Sequence, residues 1–227
     1  MPATPVLALI RTLIGKKVVM AATGAVLLAF VAGHMLGNLK VFQGPEHFNA
    51  YAEGLRQFGA PFFGHGQLLW LIRAGLLASV ALHIWAAVAV TRDSWRARPE
   101  GYRRLAAVET TYAARTMRWG GVLIALYVVY HLLDLTFGTV NPGFEPGNVY
   151  RNLVASFRVP AVAGVYAVAN LVVGLHVYHG LWSAAQTLGL NRAPSDAWRR
   201  GVAAAVAIAL TLGYLVVPAA VLAGVVR

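Results

Sequence analysis

Five long apolar runs divide the chain, and between them arginine, lysine, glycine and proline return. The runs lie near Val18 to Leu39, Leu68 to Thr91, Trp119 to Thr139, Pro160 to Leu188 and Gly201 to Val226. At about 20 residues or more, each is long enough to cross a hydrocarbon core of roughly 30 Å as a helix, and the fourth is long enough to tilt or project. No internal repeat and no low-complexity linker interrupts the pattern. The expectation is therefore an all-α membrane protein, a single five-transmembrane-helix bundle spanning residues 1–227. The opening "MPATPVLALIRTLIGKK" has too short an apolar run before Arg11 to resemble a cleavable signal, and reads as an interfacial lead-in to the first span.

Composition agrees with the pattern. Of 227 residues, 59% are hydrophobic and 12% charged, with a mean hydropathy of +0.63, far from an average soluble domain. A net charge of +11 could suggest nucleic acid, but the basic residues cluster between apolar runs, as in the cytoplasmic loops of membrane proteins. Nucleic acid is therefore not an expected partner. Arg11, Lys16 and Lys17 precede the first span; Arg92, Arg96, Arg98, Arg103, Arg104, Arg115 and Arg118 lie between the second and third; Arg192, Arg199 and Arg200 lie between the fourth and fifth. All three groups fall on one side, and the positive-inside rule makes that side the cytoplasm, with the amino terminus inside and the carboxyl terminus outside. The opposite loops, Lys40 to Gln67 and Val140 to Val159, are less basic, and are expected to form ordered surface caps.

The chain has no cysteine, which excludes disulfides, thiolate-held iron–sulfur clusters and covalently attached c-type haem. It also lacks a glycine-rich nucleotide fingerprint and a paired-carboxylate site, so chemistry on a soluble substrate would need a partner.

Histidine carries the informative signal. His47 and His65 fall in the first outer loop and suit solvated roles, but His34, His83, His131, His176 and His179 lie within apolar runs. A buried imidazole without a partner is costly, so each needs a ligand, a hydrogen bond or an aqueous cavity. At roughly 1.5 Å per residue, His34 stands roughly 25 Å from Lys17 and His131 roughly 20 Å from Arg118, both in the outer half. His83 stands roughly 13 Å from Arg92, and His176 and His179 lie at a comparable depth, in the inner half. The first and third spans thus offer one facing pair and the second and fourth another, on levels separated by on the order of 10 Å. Two pairs of neutral nitrogens on facing helices are what two bis-histidine b-type haems require, and small residues such as Gly33, Gly37, Gly174 and Gly180 flank the ligands. Zinc would call for one tight cluster with carboxylates or thiolates, rather than two levels. His176 and His179 are three residues apart, so one is a ligand and the other an accessory donor, to a haem propionate or water; spacing alone leaves open which is which.

The runs "GHMLGNLKVFQG", "FNAYAEGLRQFG", "YAARTMRWGGVLIALYVVYHLLDLTFGTVNPGF" and "LHVYHGLWSAAQTLGL" together resemble the single-subunit dihaem cytochrome b anchor of succinate:quinone oxidoreductase, of the b558 type, over about Gly15 to Gly213. The resemblance implies a distal haem on His34 and His131 and a proximal haem on His83 and His176, the fourth ligand standing four residues before Gly180. His179 departs from the small polar residue usual there, and is expected to be accessory. The resemblance further implies two haem b cofactors, an iron–sulfur subunit and a flavoprotein subunit as partners in respiratory complex II and the tricarboxylic acid cycle, and quinone, commonly menaquinone, as the electron acceptor in a bacterial cytoplasmic membrane. The succinate site would belong to the flavoprotein. The arginine-rich loop from Arg92 to Arg118 would dock the iron–sulfur subunit, besides marking topology and touching lipid. A quinol site near the distal haem would use an acidic residue for proton transfer; Glu53 is the candidate, with Glu46, Asp134 and Lys40 nearby. Asp134 can share the helix face of His131 or reach the interface. Arg73, Arg151 and Arg158 are candidate propionate partners through guanidinium–carboxylate pairing. The rival is the cytochrome b subunit of a hydrogenase or formate dehydrogenase; the alternative of another class is a transporter or structural anchor whose histidines handle protons or hydrogen bonds.

Overall fold

The computed structural model describes residues 12–97, 112–190 and 196–227, with residues 112–116 known by backbone alone. Arg11, Arg98, Arg103, Arg104 and Arg192 therefore lie outside the described residues, and Arg115 has no described side chain. The chain is all-helical, with no strand among the described residues. Among the described residues, five helices are long and apolar enough to cross a membrane: α1 (Leu13–Asn38), α3 (Gln67–Arg96), α4 (Tyr112–Leu135), α6 (Pro160–Thr187) and α7 (Asp196–Leu222). Two shorter helices, α2 (Pro45–Gln57) and α5 (Val149–Phe157), lie in the connections α1–α3 and α4–α6, with a 3-10 turn at Leu39–Gln43 leading into α2.

The helix ends differ from the apolar runs where local polar groups intervene. α1 begins five residues before Val18, because the Thr12 side chain accepts the Gly15 N–H at 3.0 Å and so caps a first turn that contains Lys16 and Lys17. α3 continues to Arg96, and its last turns are tied to α1 by the ion pair between Lys16 Nζ and Asp93 Oδ2 at 2.6 Å. α4 stops at Leu135 rather than Thr139. The Phe137 N–H turns back to the Leu132 carbonyl at 2.9 Å, and Gly138 then takes a φ of 72°, a conformation a side chain disfavours.

The basic ends of the spanning helices meet at one end of the bundle. Besides Lys16 and Asp93, Asp196 at the start of α7 accepts from Arg199, Arg200 and the Trp182 indole, joining α7 to the end of α6. Arg200 lies over the Trp182 ring at 4.5 Å and Arg118 over the Trp95 ring at 5.4 Å, an arrangement suited to a membrane interface.

Packing inside the bundle is uneven. α6 lies closely along α7, α1 along α3, and α4 along α6, with α1 also touching α6 and α7. A side chain at Gly174 would collide with Thr211, so glycine sets the close approach of α6 to α7. α3 and α4, in contrast, bury only 6% of their most apolar window, against 33% for α7. A hydrophobic cluster sits at the other end of the bundle, where Val41, Phe48, Leu153, Phe157, Tyr166 and Val217 meet.

Asparagines stitch the cap together. Asn49 donates to Asn148 at 3.1 Å and accepts the Tyr150 N–H at 3.0 Å, while Asn152 exchanges hydrogen bonds with Glu145 of the preceding loop. These contacts make ordered caps of both outer loops, as the sequence suggested.

Candidate haem-binding sites

The four spans that carry histidine bring their imidazoles together in two couples. His34 of α1 and His131 of α4 face edge-on with ring centres 5.9 Å apart, and His83 of α3 and His176 of α6 do the same at 6.3 Å. The levels are distinct. His83 touches Met20 and Thr23 of α1, and His34 lies eleven to fourteen residues beyond those two on the same helix, on the order of 15–20 Å along its axis. This spacing is wider than a count from the basic markers suggests. Such a count treats Lys17 and Arg92 as level, whereas the long Lys16 side chain reaches to Asp93.

Each couple spans a diagonal of the bundle. α1 and α4 make at most marginal backbone contact, as do α3 and α6, and α3 and α4 do not pack closely against each other. Each couple therefore joins two helices through side chains rather than through close backbone packing.

Hydrogen bonds orient two of the four rings. His83 Nδ1 lies 3.1 Å from the Met20 carbonyl and 3.1 Å from Thr23 Oγ1. A carbonyl only accepts, so Nδ1 carries the proton and Nε2 keeps its lone pair. The Thr23 hydroxyl gives its own proton to the Val19 carbonyl at 2.7 Å, which leaves its oxygen to accept from His83. His131 Nδ1 lies 3.3 Å from the Tyr166 hydroxyl. His34 stacks on Phe30, one turn earlier, at 5.4 Å with the planes 14° apart, and Tyr214 stands 6.3 Å away. His176 Nδ1 and His179 Nδ1 are buried with no hydrogen-bond partner among the described residues, and the His179 ring packs against Trp182 at 5.7 Å.

The donor set suits a haem better than a bare ion. No group of three His, Cys, Asp or Glu side chains able to hold a metal occurs among the described residues. A pair of imidazoles suits an ion that brings its own equatorial ligands. A first-row metal sits about 2 Å from an imidazole nitrogen and the ring centre about 1 Å behind it, so two axial rings on one iron have centres roughly 6 Å apart. Both couples match that separation. Of the glycines expected to make room beside the ligands, Gly37 packs on Tyr51 and Gly174 on Thr211; the glycine that does lie against a couple is Gly24 of α1, where a side chain would stand 3.3 Å from His83 Cε1.

Glu53 is placed differently. It lies on α2 and accepts from His65 Nε2 at 2.9 Å, Arg56 at 3.0 Å and Gln57 at 3.4 Å, with its side chain 46% exposed. The His65 hydrogen bond, then that of Arg56, holds its carboxyl below the usual carboxylate value. His65 also lines an open cleft of about 470 Å³ with Phe63, Gln67, Trp70 and Leu71. Glu46 begins α2, and Lys40 lies over the Tyr51 ring at 5.2 Å. Among the expected propionate partners, Arg73 lies over Trp70 at 4.9 Å and Arg151 is paired with Glu145 at 2.6 Å, while Arg158 caps α5 through its backbone.

Asp134 is buried at the end of α4. It is 2% exposed, with its Oδ2 accepting from Ser156 at 2.6 Å and from Tyr166 at 2.8 Å. Tyr166, Thr23 and Ser156 are polar contributors to the sites that the histidine pattern does not reveal. Tyr166 and Thr23 each interrupt an apolar run with a hydroxyl, a signal visible in the sequence but without a register to tie it to a histidine. A scan against protein-family models and searches of curated proteins and of solved structures give no match to this chain.

Proposed function

We propose that this chain is the dihaem cytochrome b membrane anchor of a succinate:quinone oxidoreductase, carrying electrons between an iron–sulfur subunit and a membrane quinone. In this reading His34 and His131 hold the outer haem, and His83 and His176 the inner one. The observation that carries it is the pair of imidazole couples, at 5.9 and 6.3 Å, each joining two helices whose backbones do not pack closely together. The close resemblance of the histidine-bearing segments to that family supplies the reaction class. When bound, each haem supplies a one-electron relay.

The chain's own residues hold and orient. Met20 and Thr23 fix the His83 tautomer so that Nε2 keeps its lone pair, the role outer hydrogen bonds play for metal-ligating histidines. His176 is the ring that faces His83, and His179 stands on the Trp182 side, which suits an accessory donor. The apolar spans exclude water from both couples. At the outer end, the cleft lined by His65 and Trp70 is where a quinone headgroup would meet the chain, with Glu53 as a proton acceptor. Its lowered carboxyl makes Glu53 a weak base, so it passes a proton on readily rather than storing it. The amino terminus and the basic ends lie on the cytoplasmic side of a bacterial inner membrane, where the flavoprotein and iron–sulfur subunits would dock.

Co-purification from the native membrane tests the reading. A flavoprotein and an iron–sulfur subunit should accompany the chain, and succinate should reduce its haem. Haem that responds to hydrogen or formate and not to succinate would assign the chain to the rival oxidoreductases. A purified chain without haem absorbance would favour a transporter or structural anchor.

A further inference from the structure

The two couples are oriented by different chemistry. His83 donates to a backbone carbonyl and a threonine hydroxyl, both neutral. His131 instead meets a tyrosine hydroxyl that is itself bonded to a buried acid. From these contacts, and resting on the dihaem reading above, we infer that Tyr166 and Asp134 are positioning residues for the outer haem, a relay that fixes the His131 tautomer and strengthens it as an iron ligand.

Proton counting gives the relay its direction. Ser156 Oγ and Tyr166 Oη both converge on Asp134 Oδ2, at 2.6 and 2.8 Å, so that oxygen is the acceptor of both. Tyr166 has one hydroxyl proton, and it goes to Asp134. Its oxygen then has only lone pairs to offer His131 Nδ1 at 3.3 Å, and the imidazole must be the donor. Nε2 is left unprotonated, with the lone pair an iron would need. The opposite tautomer would place a proton where iron must bind.

A purely structural tie does not account for the arrangement. Ser156 alone would link α4 to α5, and Asp134 has no ion-pair partner among the described residues, although a carboxylate within a span is costly. Placing the tyrosine hydroxyl between carboxylate and imidazole gives that carboxylate a use. Polarised by Asp134, the Tyr166 oxygen is a better acceptor, and His131 becomes a stronger donor to the ferric state. Tyr166 is held for this task by packing: its ring meets Phe157 at 4.8 Å and Tyr127 at 5.3 Å, and it is 3% exposed.

The test compares the assembled wild-type complex with Tyr166→Phe and Asp134→Asn by haem count, low-spin electron paramagnetic resonance and redox titration. Tyr166→Phe keeps the ring and removes the bridge. It should retain two haems while the midpoint potential of one rises; a tenfold loss of ferric preference is about 59 mV for a one-electron couple. The same haem should shift its resonance position, and the other should keep both properties. Asp134→Asn should move the same haem in the same direction by a smaller amount; if that variant does not assemble, Tyr166→Phe carries the test alone. Two haems with unchanged potentials and spectra in Tyr166→Phe, or equal shifts in both, would overturn the relay. A wild-type complex that contains no haem would overturn the dihaem reading itself, a result separate from either.

Discussion

Replacing His83 by alanine probes whether the two couples are independent sites. The substitution removes the α3 member of the inner couple and leaves α1 intact, since Thr23 keeps its bond to the Val19 carbonyl and the Met20 carbonyl keeps Thr23 nearby at 3.2 Å. No buried polar group is orphaned, so the fold should survive. His34 and His131 share no hydrogen bond with His83, and the α1 turn that holds His83 lies on the order of 15–20 Å from His34. At that distance two unit charges interact by about 1 kcal/mol at an effective dielectric constant of about 20. Packing perturbations more than about 10 Å apart add to within about 0.5 kcal/mol. Both effects are too small to empty a bis-histidine site. A pyridine haemochrome assay should therefore fall from two haems per chain to one, and the remaining haem should keep its low-spin spectrum. His34→Ala should give the reciprocal result, with the other haem surviving. Two haems in either variant, or loss of the same haem in both, would refute the pairing.

Other expectations follow from single contacts. His176→Ala should remove the inner haem, whereas His179→Ala should leave two haems with a perturbed inner spectrum; the reverse would exchange their roles. Thr23→Val removes one of two acceptors from His83 Nδ1, costing about 1 kcal/mol of inner-ligand orientation, measurable as a lower haem retention during detergent exchange. Gly174→Val drives a side chain into Thr211 and should lower thermal stability by about 1–3 kcal/mol, with partial recovery in a Gly174→Ala, Thr211→Ala double variant; an unchanged melting temperature would contradict the close packing of α6 on α7. Because its folded carboxyl is held below the ordinary glutamate value, Glu53 adds stability that is complete above that value and disappears as pH falls through the lowered one. The carboxyl carbon signal of Glu53 should titrate below that of an unpaired glutamate, and His65→Ala should bring the inflection back toward it.

The spans were legible because twenty-residue apolar runs have few other solutions, and the histidine couples because basic markers gave each residue a depth. Depth identified partners without fixing distances: the separation of the two levels depends on how Lys16 reaches Asp93, which no count along one helix contains. The helix ends moved for local reasons, the Thr12 cap and the turn at Gly138. Asp134 shows where pattern reasoning stopped. Three residues from His131 it shares that histidine's side of the helix, but only the fold reveals that Tyr166 of α6 and Ser156 of α5 close over it. Glu53 is a candidate through the family resemblance, and its engagement with His65, twelve residues away across a turn, needs the folded cap to be seen.

The most direct measurement is the haem content and ligation of the purified chain. Two b-type haems per chain, both low-spin with bis-imidazole ligation by electron paramagnetic resonance, are expected of four histidines arranged as two couples. A chain purified intact with no haem, or with a single haem that survives every one of the substitutions at His34, His83, His131 and His176, would contradict it.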